Sequence, residues 1–342
     1  MHIFIVTDAW HPQVNGVVRS LEATAEKCRA KGARVDFLTP DRFATIPLPT
    51  YPDIRLAIAL PAMIGRHLAE HPEAHIHIAT EGPLGLGARA YCRDAGRPFT
   101  TSYHTRFPEY LAARLPVPLD WSYAWLRRFH NSGIGTMVAT SSIEQDLSAR
   151  GFQHLMRWSR GVDADLFHPG YANVLDLPRP IFLTVGRVAV EKNIESFLAL
   201  DLPGSKAVVG DGPARETLMA AYPDAHFLGL KTGKELAQIY ASADALVFPS
   251  RTDTFGIVLL EALASGLPIA AHPVPGPLDV IGDDGPGCLS EDLREACLAA
   301  LNIPREAARN HALKYSWDAS AQQFMDNIMH AREGRPTEMY AG

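Results

Sequence analysis

Short apolar runs alternate along this chain with longer stretches in which apolar residues recur every three or four positions. The runs read as strands and the stretches as helices, and their alternation predicts βαβ units built on parallel sheets. HIFIVT (2–7) predicts the first strand, Val17 to Lys31 a helix stopped by Gly32, and ARVDFLT (33–39) the next strand. HIHIAT (75–80), a helix from Gly85 to Ala95 closed by Gly96, PFTTSYH (98–104) and TMVATS (136–141) continue the cycle. A second cycle starts with PIFLTVG (180–186), followed by a helix from about Ile194 and then KAVVG, HFLG, ALVFPS and PIAAH. Between the cycles, RGVDADLFHPGYANVLDLPRP (160–180) is rich in Pro, Gly and Asp and reads as a linker. The expected fold is α/β, two Rossmann-like doubly wound domains facing a central cleft. Ligands of such sheets sit beyond the carboxyl ends of the strands. Gly16, His104, Arg187 and Asp253 each follow a predicted strand, which makes them candidates for that cleft.

Composition agrees with two globular domains. The 342 residues suit domains of about 150 residues each, and 47% hydrophobic with 20% charged content supplies a sizeable core. The four cysteines, Cys28, Cys92, Cys288 and Cys297, show no metal or disulfide spacing, so a reduced cytosolic chain is expected. Met1-His2 leads straight into a strand-length apolar run, too short for a signal peptide, and no apolar stretch is long enough to span a membrane. The net charge of −6 is unevenly spread: residues 1–167 carry 18 Lys and Arg against 16 Asp and Glu, so the acidic excess lies in the second half. A mildly cationic first half is compatible with an anionic surface such as lipid headgroups, whereas nucleic acid would need a denser basic stripe.

The segment PSRTDTFGIVLLEALASGLP (249–268) carries the most chemistry. Ile257, Leu260, Leu263 and Ala264 keep a helical period, Gly256 stands at the start, and Gly266-Leu267-Pro268 supplies the stop. Asp253 then lies in the approach loop and Glu261 in the helix's second turn. The N–H groups of Phe255, Gly256, Ile257 and Val258 at such a helix start form a positive end suited to phosphate. A carboxylate repels phosphate, so Asp253 and Glu261 are better read as acceptors for sugar hydroxyls. A nucleotide sugar presents that alternation: sugar hydroxyls, diphosphate, ribose hydroxyls. Gly186-Arg187 leaves a predicted strand and Glu191-Lys192-Asn193 opens the next helix, which offers a planar guanidinium and a compact ammonium to a leaving diphosphate. VVGDGP (208–213) lacks the G-x-G-x-x-G frame and reads as a strand-to-helix turn, and a nicotinamide-dependent oxidoreductase is disfavoured because that glycine fingerprint is missing after the first strand.

Taken together, the two acids with seven residues between them and Phe-Gly soon after the first, GRVAVEKN (186–193) and RGVDADLFHP (160–169) resemble the large retaining glycosyltransferase family 4 (glycosyl transferases group 1). That family includes sucrose synthases, bacterial mannosyltransferases and glycolipid synthases. The resemblance covers nearly the whole chain and implies a GT-B fold and transfer of a hexose-type sugar from a nucleotide-diphosphate donor, with anomeric configuration kept. It implies His104, Arg187, Lys192 and Asp253 as catalytic residues. The implied donor site is Gly16, Gly186, Arg187, Lys192, Leu230, Asp253, Thr254, Phe255, Gly256, Ile257, Val258 and Glu261. No cofactor and no metal is expected, because Arg187, Lys192 and the helix start at Gly256 stand in for a cation. The family's usual first acid is Glu; Asp253 is one methylene shorter. The terminal helix, opening at Tyr315-Ser316-Trp317-Asp318, is implied to return to the first domain. The expected domains are therefore 1–167 plus 316–342, binding acceptor, and 168–315, binding nucleotide sugar.

TEGPLG (80–85) and SYHTRFPEY (102–110) resemble the sulfolipid and glucuronosyl-diacylglycerol synthase branch. They favour a UDP-sugar donor, a lipid acceptor such as diacylglycerol, and peripheral contact with the cytoplasmic face of a membrane. A GDP-mannose-dependent mannosyltransferase is the alternative, and an epimerase-like enzyme or a non-catalytic nucleotide-sugar binder is the rival of another class. Val14-Asn15-Gly16-Val17-Val18 opens a helix at which backbone could approach a ligand. In the helical tract Trp121 to Phe129, Trp121, Trp125 and Phe129 share one face, expected to point into the core, with a lipid-facing stripe as the alternative; PAMIGRHLAEH (61–71) is a second candidate for lipid.

Overall fold

The computed structural model describes residues 1–13, 15–48, 51–112, 117–282 and 284–334, apart from the side chains of 48, 51–53 and 110. Val14 of the expected helix opening, the side chain of Tyr110, and residues 335–342 of the expected first domain lie outside the described residues. The chain divides into two compact units, Met1–Ser159 with Trp317–Gly342, and Arg160–Ser316.

The first unit is laid on strands β1 (His2–Val6), β2 (Arg34–Leu38), β5 (His75–Ile78), β6 (Phe99–Tyr103), β7 (Gly135–Val138) and β8 (Leu155–Arg157). They form one parallel sheet in the order β2-β1-β5-β6-β7-β8, and a separate antiparallel hairpin joins β3 (Thr45–Leu48) to β4 (Tyr51–Ala57). Helices cover such a sheet, so its strands are buried on both faces, and HIFIV is apolar after its first residue for that reason. Polar side chains in the interior must then find partners. His77 sits between Thr100 and Ser102 at 2.9 and 2.6 Å, and His75 meets the same Thr100 hydroxyl at 2.9 Å. Burial, aided by Arg332 and Arg97, pushes the His75 pKa down to about 3 and keeps it neutral.

The helix Trp317–Glu333 closes this unit. Its Phe324 and Ile328 are fully buried in a core with Ile3, Ile5, Leu21, Met137 and Trp158. Trp158 donates from Nε1 to Ser320 Oγ at 3.1 Å, Gln323 accepts from the Ser159 amide at 2.7 Å, and Asn327 donates to the Arg157 carbonyl at 2.7 Å. Residues 160–167, expected in the first domain, lie in the second unit instead. Arg309 explains the shift, donating to the carbonyls of Phe167 (2.6 Å) and Ala164 (2.8 Å), while the Val162 amide donates to Tyr315 O at 3.2 Å.

Strand order in the first unit reverses between β1 and β5, and Asp8 stands just past the end of β1. Its carboxylate accepts from the Leu84 amide at 2.8 Å, the Gly85 amide at 3.3 Å and Thr80 Oγ1 at 2.9 Å. It thereby caps the helix Pro83–Asp94, whose own cap residue, Gly82, brings no side chain; a Cβ on Gly82 would fall 2.5 Å from the Asp8 carboxyl carbon. Burial raises the Asp8 pKa to about 6, against the lowering effect of these hydrogen bonds.

The second unit carries β9 (Ile181–Val185), β10 (Ser205–Val209), β11 (His226–Gly229), β12 (Ala245–Phe248), β13 (Ile269–Ala271) and β14 (Gly287–Leu289) in the parallel order β11-β10-β9-β12-β13-β14. The order reverses between β9 and β12. Arg305 holds the far ends of the strands by donating to Ala241 O, Ala243 O and Ser265 O at 2.7–3.1 Å.

Two predictions follow from these cores. Phe324→Ala should cost about 3–5 kcal/mol, because it opens a cavity in the first unit, whereas Met329→Ala at a 42% exposed position of the same helix should cost about 0.5 kcal/mol or less; urea unfolding measures both. Asp8 holds its proton more tightly folded than unfolded, so the stability it contributes is complete below pH ~4 and lost as pH rises through about 6. Asp8→Asn should abolish that decline. A wild-type-minus-variant difference that stays flat from pH 4 to 7 would refute it.

Candidate functional site

In the second unit the site grows from the two neighbouring strands at which the sheet order reverses. β9 and β12 pair through Ala245 with Phe182 and Leu246 with Leu183, so their carboxyl ends open side by side. After β9 come Gly186, Arg187 and a tight turn over Val190–Lys192. After β12 comes the loop that holds Asp253. Lys192 Nζ lies 2.5 Å from Asp253 Oδ1, and both side chains are largely buried. Asn193, in the left-handed region at φ 52°, donates from Nδ2 to the Pro249 carbonyl at 3.1 Å and fixes the two loops to each other. Asp253 Oδ2, though buried, has no hydrogen-bond partner among the described residues.

The floor beside Gly186 is shaped by VVGDGP. The Gly186 amide donates to Val209 O and the Gly210 amide to Gly229 O. Gly210 has φ 141°, and a Cβ there would lie 1.8 Å from the Gly186 carbonyl oxygen. Any side chain would push the Arg187 loop away, so the glycine is required by close approach rather than by phosphate binding. Arg187 is half-buried, and Leu230, just past Gly229, is 53% exposed.

The expected helix start is present: Ile257–Ala264 is helical, Gly256 is its cap residue at φ 84°, and no side chain caps it. Thr254, Gly256, Ile257 and Val258 are half-buried. Phe255 is buried, its ring edge-on to Tyr315 at 6.5 Å. Glu261 points inward. It is 2% exposed, and its Oε2 accepts from Tyr240 Oη at 3.1 Å, so this carboxylate is already engaged by a tyrosine.

The remaining candidates belong to the first unit. His104 follows β6, half-buried, its ring edge-on to Trp158 at 5.7 Å. Gly16 is exposed and begins the helix Gly16–Ala30, but Asn15 Oδ1 already accepts from the Val17 and Val18 amides at 3.0 Å each. Those two donors at the helix opening, where backbone was expected to approach a ligand, are taken by the cap. The Trp121 stripe is a correction. Trp121 is 74% and Trp125 42% exposed, and only Phe129 of the three is buried, because Ser122, Tyr123 and Leu126 form the face of the helix Leu119–His130 that packs inward.

Sequence reasoning missed a pair at the end of β5. Glu81 Oε1 lies 3.1 Å from Nε2 of the buried His130, whose Nδ1 is 2.8 Å from Thr101 Oγ1. Glu81 lies inside TEGPLG, but its partner comes from a helix end far along the chain, and no local pattern announces that.

Residues 179–303 match the family described as Glycosyl transferases group 1, and residues 14–166 match Glycosyltransferase Family 4. The chain is 30% identical to a GDP-mannose-dependent alpha-mannosyltransferase of Mycobacterium tuberculosis, with 99% of each chain covered. It is 31% identical to the sulfoquinovosyl transferase SQD2 of Arabidopsis thaliana over 81% of its own length and 60% of that protein. Sucrose-phosphate synthase from Thermosynechococcus elongatus has a similar structure, with a TM-score of 0.78 at 20% identity over 97% of this chain and 99% of that one. With two parallel sheets, each open at a strand-order reversal, and 30% identity over 99% of both chains to the mannosyltransferase, the chain belongs to the group 1, family 4 glycosyltransferases of GT-B fold.

Proposed function

We propose that the protein transfers a hexose from a nucleotide-diphosphate donor to a membrane lipid, keeping the anomeric configuration and using no metal ion. The observation that carries this reading is Asp253. One of its carboxylate oxygens is held by Lys192 and the other is buried without a donor, beside a helix start that no side chain caps. A buried acceptor left unpaired costs about 1–3 kcal/mol, and a sugar hydroxyl supplies the missing donor. The helix start and the cations Arg187 and Lys192 are of the sign a leaving diphosphate needs. Acceptor oxygen attacks the anomeric carbon on the face from which the phosphate departs. The C–O bond to phosphate breaks, and the acceptor's proton passes to the departing phosphate oxygen.

GDP-mannose is the favoured donor, ahead of the UDP-sugar that the first-half blocks suggested. The likeness that spans both chains almost completely is to a GDP-mannose-dependent alpha-mannosyltransferase. An alpha product from an alpha-linked donor also supports retention. The UDP-sugar reading keeps support from the likeness to a sulfoquinovosyl transferase. A lipid acceptor is supported by the face carrying Trp121, Trp125 and, one turn on, Arg128: two exposed indoles and a guanidinium suit an anionic headgroup layer.

A thermal-shift screen with GDP, UDP and their sugars tests the donor. GDP-mannose at 100 times its dissociation constant should stabilise the fold by ~2.7 kcal/mol, and stabilisation by uridine compounds alone would reject it in favour of the second reading. Arg187→Ala and Lys192→Ala should each lower turnover by ~10²–10³ with the fold intact; near-normal turnover in both would remove the assigned role. Trp121→Ala combined with Trp125→Ala should weaken binding to anionic vesicles at least ~10-fold, since two indoles buried at about 25 cal/mol per Å² exceed the ~1.4 kcal/mol of one decade. Unchanged vesicle binding would count against the lipid-facing stripe.

A further inference from the structure

We propose that His2, Asp36 and His71 form a zinc-binding site on the β1–β2 edge of the first unit, made of none of the residues assigned above to sugar transfer. One ligand atom from each of the three lies within 4.8 Å of the others. Imidazole, imidazole and carboxylate are the donor set that Zn²⁺ takes and that Mg²⁺ and Ca²⁺ do not prefer.

The juxtaposition is built by the sheet. In the parallel β1–β2 pair, His2 is level with Arg34 and Phe4 with Asp36, so with a two-residue period all four side chains stand on one face. His71, from the turn after the helix Pro61–Ala69, lies over Phe4 with ring centroids 5.0 Å apart and meets the His2 ring edge-on at 5.5 Å. The His2 side chain is only 9% exposed. Its Nε2 is 2.8 Å from Asp36 Oδ2 and its Nδ1 2.7 Å from Glu73 Oε1. A neutral imidazole has one N–H and serves one carboxylate acceptor; serving two takes either a second proton or a cation in that proton's place. Zn²⁺ would replace the proton on Nε2, which leaves to solvent. It would then bond Nε2, Asp36 and a His71 nitrogen, with Nδ1–H still donated to Glu73. That outer carboxylate is the usual partner of a metal-bound histidine. Arg34, whose Nε is 2.9 Å from Asp36 Oδ2, is a cation already present, and the ion shares or displaces it. Binding would clasp the strand edge to the turn that leads into β5.

Titration calorimetry of the full chain with ZnCl₂ at pH 7.5, with MgCl₂ as control, tests the site. The expected result is one saturable zinc equivalent, no magnesium uptake, and a melting temperature raised by zinc. His71→Gln, which keeps bulk over Phe4, and Asp36→Asn should each weaken zinc binding by ~100-fold, and Glu73→Gln by ~10-fold. His67→Ala, one turn earlier, should leave it unchanged. Co²⁺ in place of zinc should give visible d–d absorption that His71→Gln abolishes. Absence of saturable uptake, or uptake equal in wild type and His71→Gln, would overturn the proposal.

Discussion

A parallel strand can be joined to its neighbour only by a crossover, and crossovers of one hand leave every strand-to-helix loop at the same end of the sheet. That constraint governs each unit of this protein. Where the strand order reverses, between β1 and β5 and again between β9 and β12, successive crossovers go to opposite sides and the loops part. Asp8 with Thr80 occupies the first of these openings, and Lys192 with Asp253 the second. In the first, backbone amides meet a buried carboxylate at short range, and in the second an ammonium does, in a medium that screens charge poorly. Polar groups there are consequential whether they serve the fold, as Asp8 does by capping a helix, or a ligand.

The two acids of the Asp253 to Glu261 block have become different objects. Asp253 is in a loop, held at one oxygen by an ammonium and unserved at the other. Glu261 is on the inner side of a helix whose buried face runs through Leu259, Leu260, Leu263 and Ala264, and it bonds to Tyr240. Side-chain length bears on this. The shorter Asp253 reaches Lys192 because Asn193 draws the two loops together through the Pro249 carbonyl. The carboxylate position is thus set by a contact between loops, and the missing methylene does not by itself decide what the acid can reach.

The first unit places an unusual amount of polarity in its interior. His75, His77, Thr100, Thr101, Ser102, Thr136 and His130 are all buried, and the histidines are matched to hydroxyls. Strands buried on both faces usually read as apolar runs, so HIHIAT is legible as a strand only through its isoleucines; its histidines are tolerated because the Thr100 hydroxyl of β6 meets both and Ser102 also meets His77. The same packing leaves Trp121 and Trp125 outside. Their helix buries Tyr123, Leu126 and Phe129 and has no room on that face for two indoles.

By itself the sequence determined what depends on near neighbours along the chain. Period two against period 3.6, with Gly32, Gly96 and Gly266 as stops, marked most of the strands and helices. The run after ALVFPS placed a glycine-started helix behind an acid, and the alternation of elements required parallel sheets. Only the tertiary structure decided what depends on residues far apart. It moved residues 160–167 to the second unit through Arg309, turned Glu261 toward Tyr240, gave the Val17 and Val18 amides to Asn15, and paired Glu81 with His130. The physical reason is range: periodicity and capping act within a turn or two, whereas a hydrogen bond between loops exists only once the sheet has brought its strand ends together.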